Sequence, residues 1–190
     1  MPVDWDKLAV ACLDPEAVRR AIPRLQEQAD AWFQGAPIDS VQALVAVIAA
    51  SPSIARFLLR FPEWLGPAFD ASSLQFGRRL EGLRREIGAL LDAALSRGDH
   101  PQALRELRRF RQREQIRIAA RDLTGRADLP AIMRELSELA EVCLAGVLRV
   151  VRAQLASQAG EPWHLDADGE WRPTEFCVLG LSKLGGLELN

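Results

Sequence analysis

Lysine is almost missing from this chain: only Lys7 and Lys183 occur among 24 basic residues, and the rest are arginines. Arginine keeps its charge when buried and meets carboxylates through a planar fork, so the skew fits internal ion pairing at least as well as ligand binding. Cysteine is scarce too. Cys12, Cys143 and Cys177 are odd in number, lie far apart, and match neither a disulfide framework nor a zinc spacing. A reducing, cytoplasmic setting is therefore expected. Excess charge of one sign is lacking, since the net charge is −2. No whole-molecule field draws the protein to nucleic acid or an anionic membrane, and neither is expected as a partner. The most apolar run, Val41 to Ala50, is too short to span a bilayer. The opening MPVDWDKLAV carries two aspartates where a signal peptide would be basic. His100 and His164 have no partner at metal-ligand or triad spacing.

Helix signals fill residues 14 to about 158. Asp14 before Pro15 reads as an N-cap with proline at the first helical position, and Pro23 is expected to interrupt or kink that segment. Asp39 or Ser40 is expected to cap a helix whose stripe is Val41, Leu44, Val45 and Ile48. Ser51-Pro52 restarts the pattern, and Phe61-Pro62-Glu63-Trp64 stops and restarts it again. Ser72 or Ser73 is expected to cap a longer helix with Leu80, Leu83, Ile87, Leu90 and Leu91 on one side, ending at Arg97-Gly98. Asp99 opens the next helix, and Asp128 with Pro130 opens a third that carries Leu136, Leu139, Cys143, Val147 and Val150. Three long helices with short loops predict antiparallel neighbours in a bundle. After Ala159-Gly160 the texture changes, with a turn signal at Asp168-Gly169 and then a buried strand expected over about Glu175 to Leu179. The fold expected is mainly α: a helical region over 1–158, then, over 159–190, the incomplete beginning of an α/β unit, a strand plus a glycine-rich loop.

Chemistry has few places to reside. The segment from Leu104 to Leu123 carries seven arginines against three acidic residues, so phosphate-backbone binding has to be weighed. Glu135, Glu138 and Glu141 on the following helix offer an acidic face that pairs with it more simply. Leu107, Arg111, Glu114 and Ile118 fall at i, i+4, i+7 and i+11. That spacing puts Arg111 and Glu114 inside an apolar stripe, either as a buried pair or as the wall of a polar site. The DADG of Asp166 to Gly169 resembles the start of a calcium loop but lacks the later ligands, so a turn is expected. The terminal FCVLGLSKLGGLELN is different. Glycines and a lysine after an apolar run can hold a phosphate, or can simply turn a strand into a helix. The spacing of Gly180, Gly185 and Gly186 matches neither a P-loop nor a dinucleotide fingerprint.

The stretch VLGLSKLGGLELN resembles the signature of the bacterial glutamate–ammonia ligase adenylyltransferase family, bifunctional enzymes that adenylylate and deadenylylate glutamine synthetase. SPSIARFLLRFPEWL (Ser51 to Leu65) and LRRFRQREQIRIAARDL (Leu107 to Leu123) resemble the family's early helical segment and its arginine-rich helix. The resemblance implies a nucleotidyltransferase unit that removes AMP from glutamine synthetase by phosphorolysis. Its implied partners are glutamine synthetase, the PII signalling protein, ATP or ADP, and phosphate; its implied cofactor is Mg2+ held by paired aspartates. Gly180, Lys183, Gly185 and Gly186 match the family's nucleotide- and phosphate-binding loop, and Ser182 among them is a further candidate, its hydroxyl able to bond phosphate. Ser182 departs from the usual glycine, which matters if the position needs positive φ. Glu188, Leu189 and Asn190 match the continuation. The aspartates implied by the resemblance would begin past Asn190, so no catalytic or metal-ligating residue is assigned within the chain and the 190 residues alone are expected to be inactive. The alternative use is as a helical interaction module that docks glutamine synthetase or PII protein.

Overall fold

A computed structural model describes residues 13–188. In chain order its elements are helices α1 (Pro15–Gly35), α2 (Ile38–Ala50) and α3 (Pro52–Arg60), a 3-10 turn (Pro62–Trp64), and the short helices α4 (Leu65–Phe69) and α5 (Ala71–Gln75). The longer helices α6 (Leu80–Leu95), α7 (His100–Leu123) and α8 (Leu129–Ala159) follow. Strands β1 (Trp163–Leu165) and β2 (Trp171–Pro173) and the single turn α9 (Ser182–Gly185) complete the described residues. The mainly α expectation holds. Contacts divide the chain into two units: the described residues up to Arg78 with Gln112–Glu135, and Arg79–Arg111 with everything described from Leu136 onward.

The first unit is built from helices cut short by proline. Four predicted starts have the expected chemistry, three of them in this unit. Asp14 Oδ1 accepts from Ala17 N at 2.9 Å, Ser51 Oγ from Ile54 N at 3.4 Å, and Asp128 Oδ1 from Ala131 N at 2.9 Å. Each satisfies an amide the first helical turn cannot. Short helices meeting at angles let Val18, Leu25, Leu44, Ile48, Leu58, Leu65, Phe69 and Leu74 converge on one core, closed by Ile116 and Ala120 of α7. Each fully buried aliphatic side chain there contributes roughly 1.5–3 kcal/mol. Phe61 stacks on Trp64 at 4.5 Å between ring centroids, so the Pro-Glu-Trp turn is held by its own aromatic pair.

Three local expectations are corrected here. Pro23 stays inside α1, and the non-helical residue is Ala29 (φ −139°, ψ 39°). Val18, Ala21, Ile22 and Leu25 are buried on both sides of the proline and hold the helix through it. Neither Asp39 nor Ser40 caps α2, which begins directly after Pro37. Ser40 is buried, and Asp39 instead accepts from Arg126 at 2.9 Å. The helix expected from Ser72 onward is broken: Asp70 caps α5 by accepting from Ser72 N at 3.0 Å, and the chain leaves helical geometry before restarting at Leu80. Gly77 lies in that break, where an added Cβ would stand 3.0 Å from Glu135 Oε1. The break brings backbone against a buried carboxylate, which a continuous helix would not do.

The second unit begins with the fourth start, where Asp99 Oδ1 accepts from Gln102 N at 2.9 Å. Arg84 pairs with Glu141 and Asp92 with Arg149, both pairs 57 positions apart. A constant offset means that α6 and α8 run parallel there, as the first and third members of an up-down-up set must. Gly146 makes room for its neighbours: a Cβ added there would stand 3.0 Å from Leu107 Cδ1 and 3.4 Å from Leu91 Cδ1. The β1–β2 hairpin pairs Trp163 with Pro173, His164 with Arg172 and Leu165 with Trp171. Its turn is the predicted one. Asp166 N donates to Glu170 O at 2.9 Å, Asp166 Oδ1 accepts from Asp168 N and Glu170 N, and Gly169 takes φ 84°. The strand expected over Glu175 to Leu179 is absent; those residues have no regular structure. A strand is fixed by ladder hydrogen bonds, and no neighbour among the described residues supplies them.

Candidate functional site

Two groups of side chains carry the chemistry. The first is a buried ionic cluster within the first unit. Glu114 has a side chain only 3% exposed, and its Oε1 accepts from Arg78 Nη1 at 2.8 Å and Arg113 Nη2 at 2.9 Å. Its Oε2 accepts from Arg117 Nε at 2.9 Å. Arg117 reaches onward to Glu135 Oε2 at 2.7 Å, and Arg121 Nη1 donates to the Leu74 carbonyl at 3.2 Å. Arg121 Nε and Glu135 Oε1 stand 3.1 Å apart, an ion pair whose atoms are too poorly aligned for a hydrogen bond. Burial alone would push the Glu114 carboxyl up, but Arg117, Arg78 and Arg113 outweigh it and hold the group below its ordinary value.

Sequence spacing placed Glu114 correctly and Arg111 wrongly. Arg111 is exposed. One buried row of α7 runs Ala103, Leu107, Phe110, Glu114, Arg117 and Arg121, steps of four, three, four, three and four, and Ile116, Ile118 and Ala120 are buried beside it. After Leu107 the helix uses the i+3 position, Phe110, where the i+4 position, Arg111, had been expected. Arg117 and Arg121 lie on the same heptad and were legible from it; Arg78, 36 positions from Glu114, was not. The cluster ties α7 to the start of α8 and to the Gly77 break.

The second group is the glycine loop in the second unit. Gly180, Ser182, Lys183, Gly185 and Gly186 come together in one exposed helical turn and its flanks. A Cβ on Gly185 would stand 2.6 Å from the Gly180 carbonyl oxygen, closer than any side chain tolerates, so that backbone crossing requires glycine. Ser182 has φ 54°, the left-handed region that favours glycine, so the departure noted in sequence falls on a position that strains a side chain. Gly186 N donates to Ser182 O at 2.9 Å, Leu187 N to Leu184 O at 3.2 Å and Glu188 N to Lys183 O at 2.7 Å. These three amides are bonded within the turn. The side-chain donors the loop can offer an anion are the Ser182 hydroxyl and the Lys183 ammonium. Glu188 belongs to the same turn, while Leu189 and Asn190 lie outside the described residues.

Beside the loop is a groove of about 480 Å³, lined on α8 by Glu141, Leu144 and Leu148 and on the terminal segment by Phe176, Val178 and Leu184. Its walls are mainly apolar. Among the described residues, no three of His, Cys, Asp or Glu gather as a metal site, and no helix is long and apolar enough to cross a membrane.

The family model described as glutamate-ammonia ligase adenylyltransferase matches residues 41–190. The chain is also similar to a protein of Thioalkalivibrio sulfidiphilus (strain HL-EbGR7) named bifunctional glutamine synthetase adenylyltransferase/adenylyl-removing enzyme. The two are 36% identical over 179 residues, which is 93% of this chain and 18% of the relative. The chain thus spans less than a fifth of the curated relative it matches. No solved structure matches it.

Proposed function

Because this chain belongs to the glutamate–ammonia ligase adenylyltransferase family, we propose that it is the N-terminal part of a nucleotidyltransferase unit that removes AMP from adenylylated glutamine synthetase. The observation that carries the reading is the family match over residues 41–190, which takes in the arginine helix and the glycine loop together. In the proposed reaction an oxygen of inorganic phosphate attacks the phosphorus of the adenylyl-tyrosine diester. The bond to the tyrosyl oxygen breaks, that oxygen takes up a proton, and the products are ADP and free tyrosine. In this reading Lys183 and Ser182 donate to phosphate oxygens, a role supported by the backbone crossing of Gly180 and Gly185 that folds the loop. Ammonium and hydroxyl groups donating to anionic oxygens are the strong class of hydrogen bond.

Magnesium belongs to the proposal but not to these side chains. The described residues do not gather the carboxylates that a hard divalent cation takes, so no step is routed through a metal here. Its ligands are placed in the longer protein, with the binding of glutamine synthetase, PII protein and ATP or ADP. The arginine helix is given a structural role, because Arg113, Arg117 and Arg121 pair with carboxylates of their own unit. The test supplies adenylylated glutamine synthetase, phosphate and magnesium and measures ADP. The reading frame extended past Asn190 is expected to release it, and the 190 residues alone are not. Turnover by the 190-residue chain, or none by the extended one, overturns the proposal.

A further inference from the structure

The arginine helix has an outer half that the buried cluster does not use. On the inner side, Glu114 takes Arg78, Arg113 and Arg117, and Glu135 takes Arg117 and Arg121. Arg105, Arg108, Arg109 and Arg111 remain exposed, on the side of α7 away from the buried Ala103, Leu107 and Phe110. Four guanidinium groups thus crowd two turns of one helix. Arg105 stands 3.9 Å from Asp99 and Arg109 3.7 Å from Glu106, near the outer limit of an ion pair. Arg108 and Arg111 form no ion pair among the described residues. Glu141 of α8, which could have answered them, is engaged by Arg84.

Two of these side chains are already steadied by their own helix. Arg105 Nε donates to Gln102 Oε1 at 2.8 Å, and Arg108 Nε to the Leu104 carbonyl at 3.3 Å. A guanidinium held through Nε keeps its two Nη groups for a partner, and that pair is the fork that meets a carboxylate bidentately. Less freedom is then lost on binding. The crowding is unfavourable for the chain alone. Arg105 with Arg108, Arg105 with Arg109, and Arg108 with Arg111 are like charges at i+3 or i+4, which repel. Other exposed arginines meet acids, Arg84 with Glu141 and Arg149 with Asp92.

Carboxylates or phosphates would relieve the repulsion, and the dimensions favour carboxylates. The face from Arg105 to Arg111 is about 9 Å long. Its four cations fall short of the roughly six to ten phosphate contacts that support salt-sensitive nucleic-acid binding. The net charge of −2 gives a polyanion no help from the rest of the chain. Helix side chains at i, i+3 and i+4 stand ~5–6 Å apart at Cβ, a repeat that acidic residues one turn apart on a second helix match.

We propose that Arg105, Arg108, Arg109 and Arg111 form a docking surface for an acidic helix of another protein. Carboxylates one turn apart on that helix pair with the guanidinium forks. The surface needs neither the glycine loop nor the reaction proposed above.

Fluorescence anisotropy with the 190-residue chain tests this. The probe is a labelled, alanine-based peptide of about 15 residues, long enough to be partly helical, with glutamate at every third or fourth position. The native chain is expected to bind it, and raising salt from about 0.05 to 0.2 M to weaken binding severalfold. Arg105→Ala/Arg108→Ala/Arg111→Ala is expected to lower the affinity at least ~10-fold. Its melting temperature should be equal or higher, because repulsion is removed. Arg19→Ala/Arg20→Ala/Arg24→Ala makes the same charge change on the exposed side of α1 and is expected to cost less than ~3-fold. Absence of binding by the native chain overturns the proposal, and so does an equal loss in the two triple variants. A lower melting temperature for the α7 variant overturns it by showing those arginines to be structural. Tighter binding of a single-stranded DNA of the same charge assigns the face to nucleic acid and overturns it equally.

Discussion

Glu114→Gln is the sharpest perturbation of the buried cluster. It keeps the shape and one carbonyl acceptor but removes the charge that three guanidinium groups share. Breaking a buried ion pair by removing one partner costs about 3–5 kcal/mol, chiefly because the other charge is left stranded. Arg78 and Arg113 have side chains 27 and 17% exposed, so both can turn toward water. Arg117, at 2%, cannot. Arg117 keeps its pair with Glu135, which puts the expected loss at the lower end, about 3 kcal/mol. For a chain of this size that lowers the melting temperature by roughly 6–12 °C. Urea titration followed by circular dichroism and by tryptophan fluorescence measures it, and agreement of the two probes checks that the units unfold together. Asp39→Ala breaks an ion pair whose aspartate is 60% exposed and should cost no more than about 1 kcal/mol. A loss for Glu114→Gln no larger than that of Asp39→Ala would refute the reasoning.

Other outcomes follow from the same geometry. The Glu114 carboxyl is held below its ordinary 4.5 in the folded protein, so its stabilisation is complete above that pH and fades as pH falls through the folded value. Acid titration of stability should therefore show a decline below pH 4.5 that Glu114→Gln lacks in part. Gly146→Ala should be close to neutral, because helix propensity offsets contacts with the movable ends of Leu107 and Leu91, whereas Gly146→Leu should cost about 1–3 kcal/mol by overpacking. Ser182→Gly relieves a left-handed serine and should favour the turn locally by about 1 kcal/mol, read as slower exchange of the Gly186 and Glu188 amides with no change in global stability.

Caps and prolines made most of the helix starts readable, since Asp14, Ser51, Asp99 and Asp128 act through the amides three residues onward. The exceptions are instructive. Asp39 has cap chemistry but is engaged by Arg126, and Pro23 is carried by buried neighbours, so tertiary contacts outweighed local signals at both. Glu114 was legible because a carboxylate on an apolar heptad demands partners. Its partner Arg78 was not, because nothing local marks a contact 36 residues away. The terminal strand failed for a related reason: pattern says which residues want burial, but pairing needs a neighbour. In the loop, the doubt raised by Ser182 fell on the right residue, which takes φ 54°.

The most direct measurement is ADP release from adenylylated glutamine synthetase by the extended polypeptide carrying Lys183→Ala, with folding verified by circular dichroism. If this loop presents its cation to phosphate, release should fall at least ~10-fold, the scale of one charge-assisted hydrogen bond. Unchanged release from a folded Lys183→Ala protein would contradict the assignment of the loop.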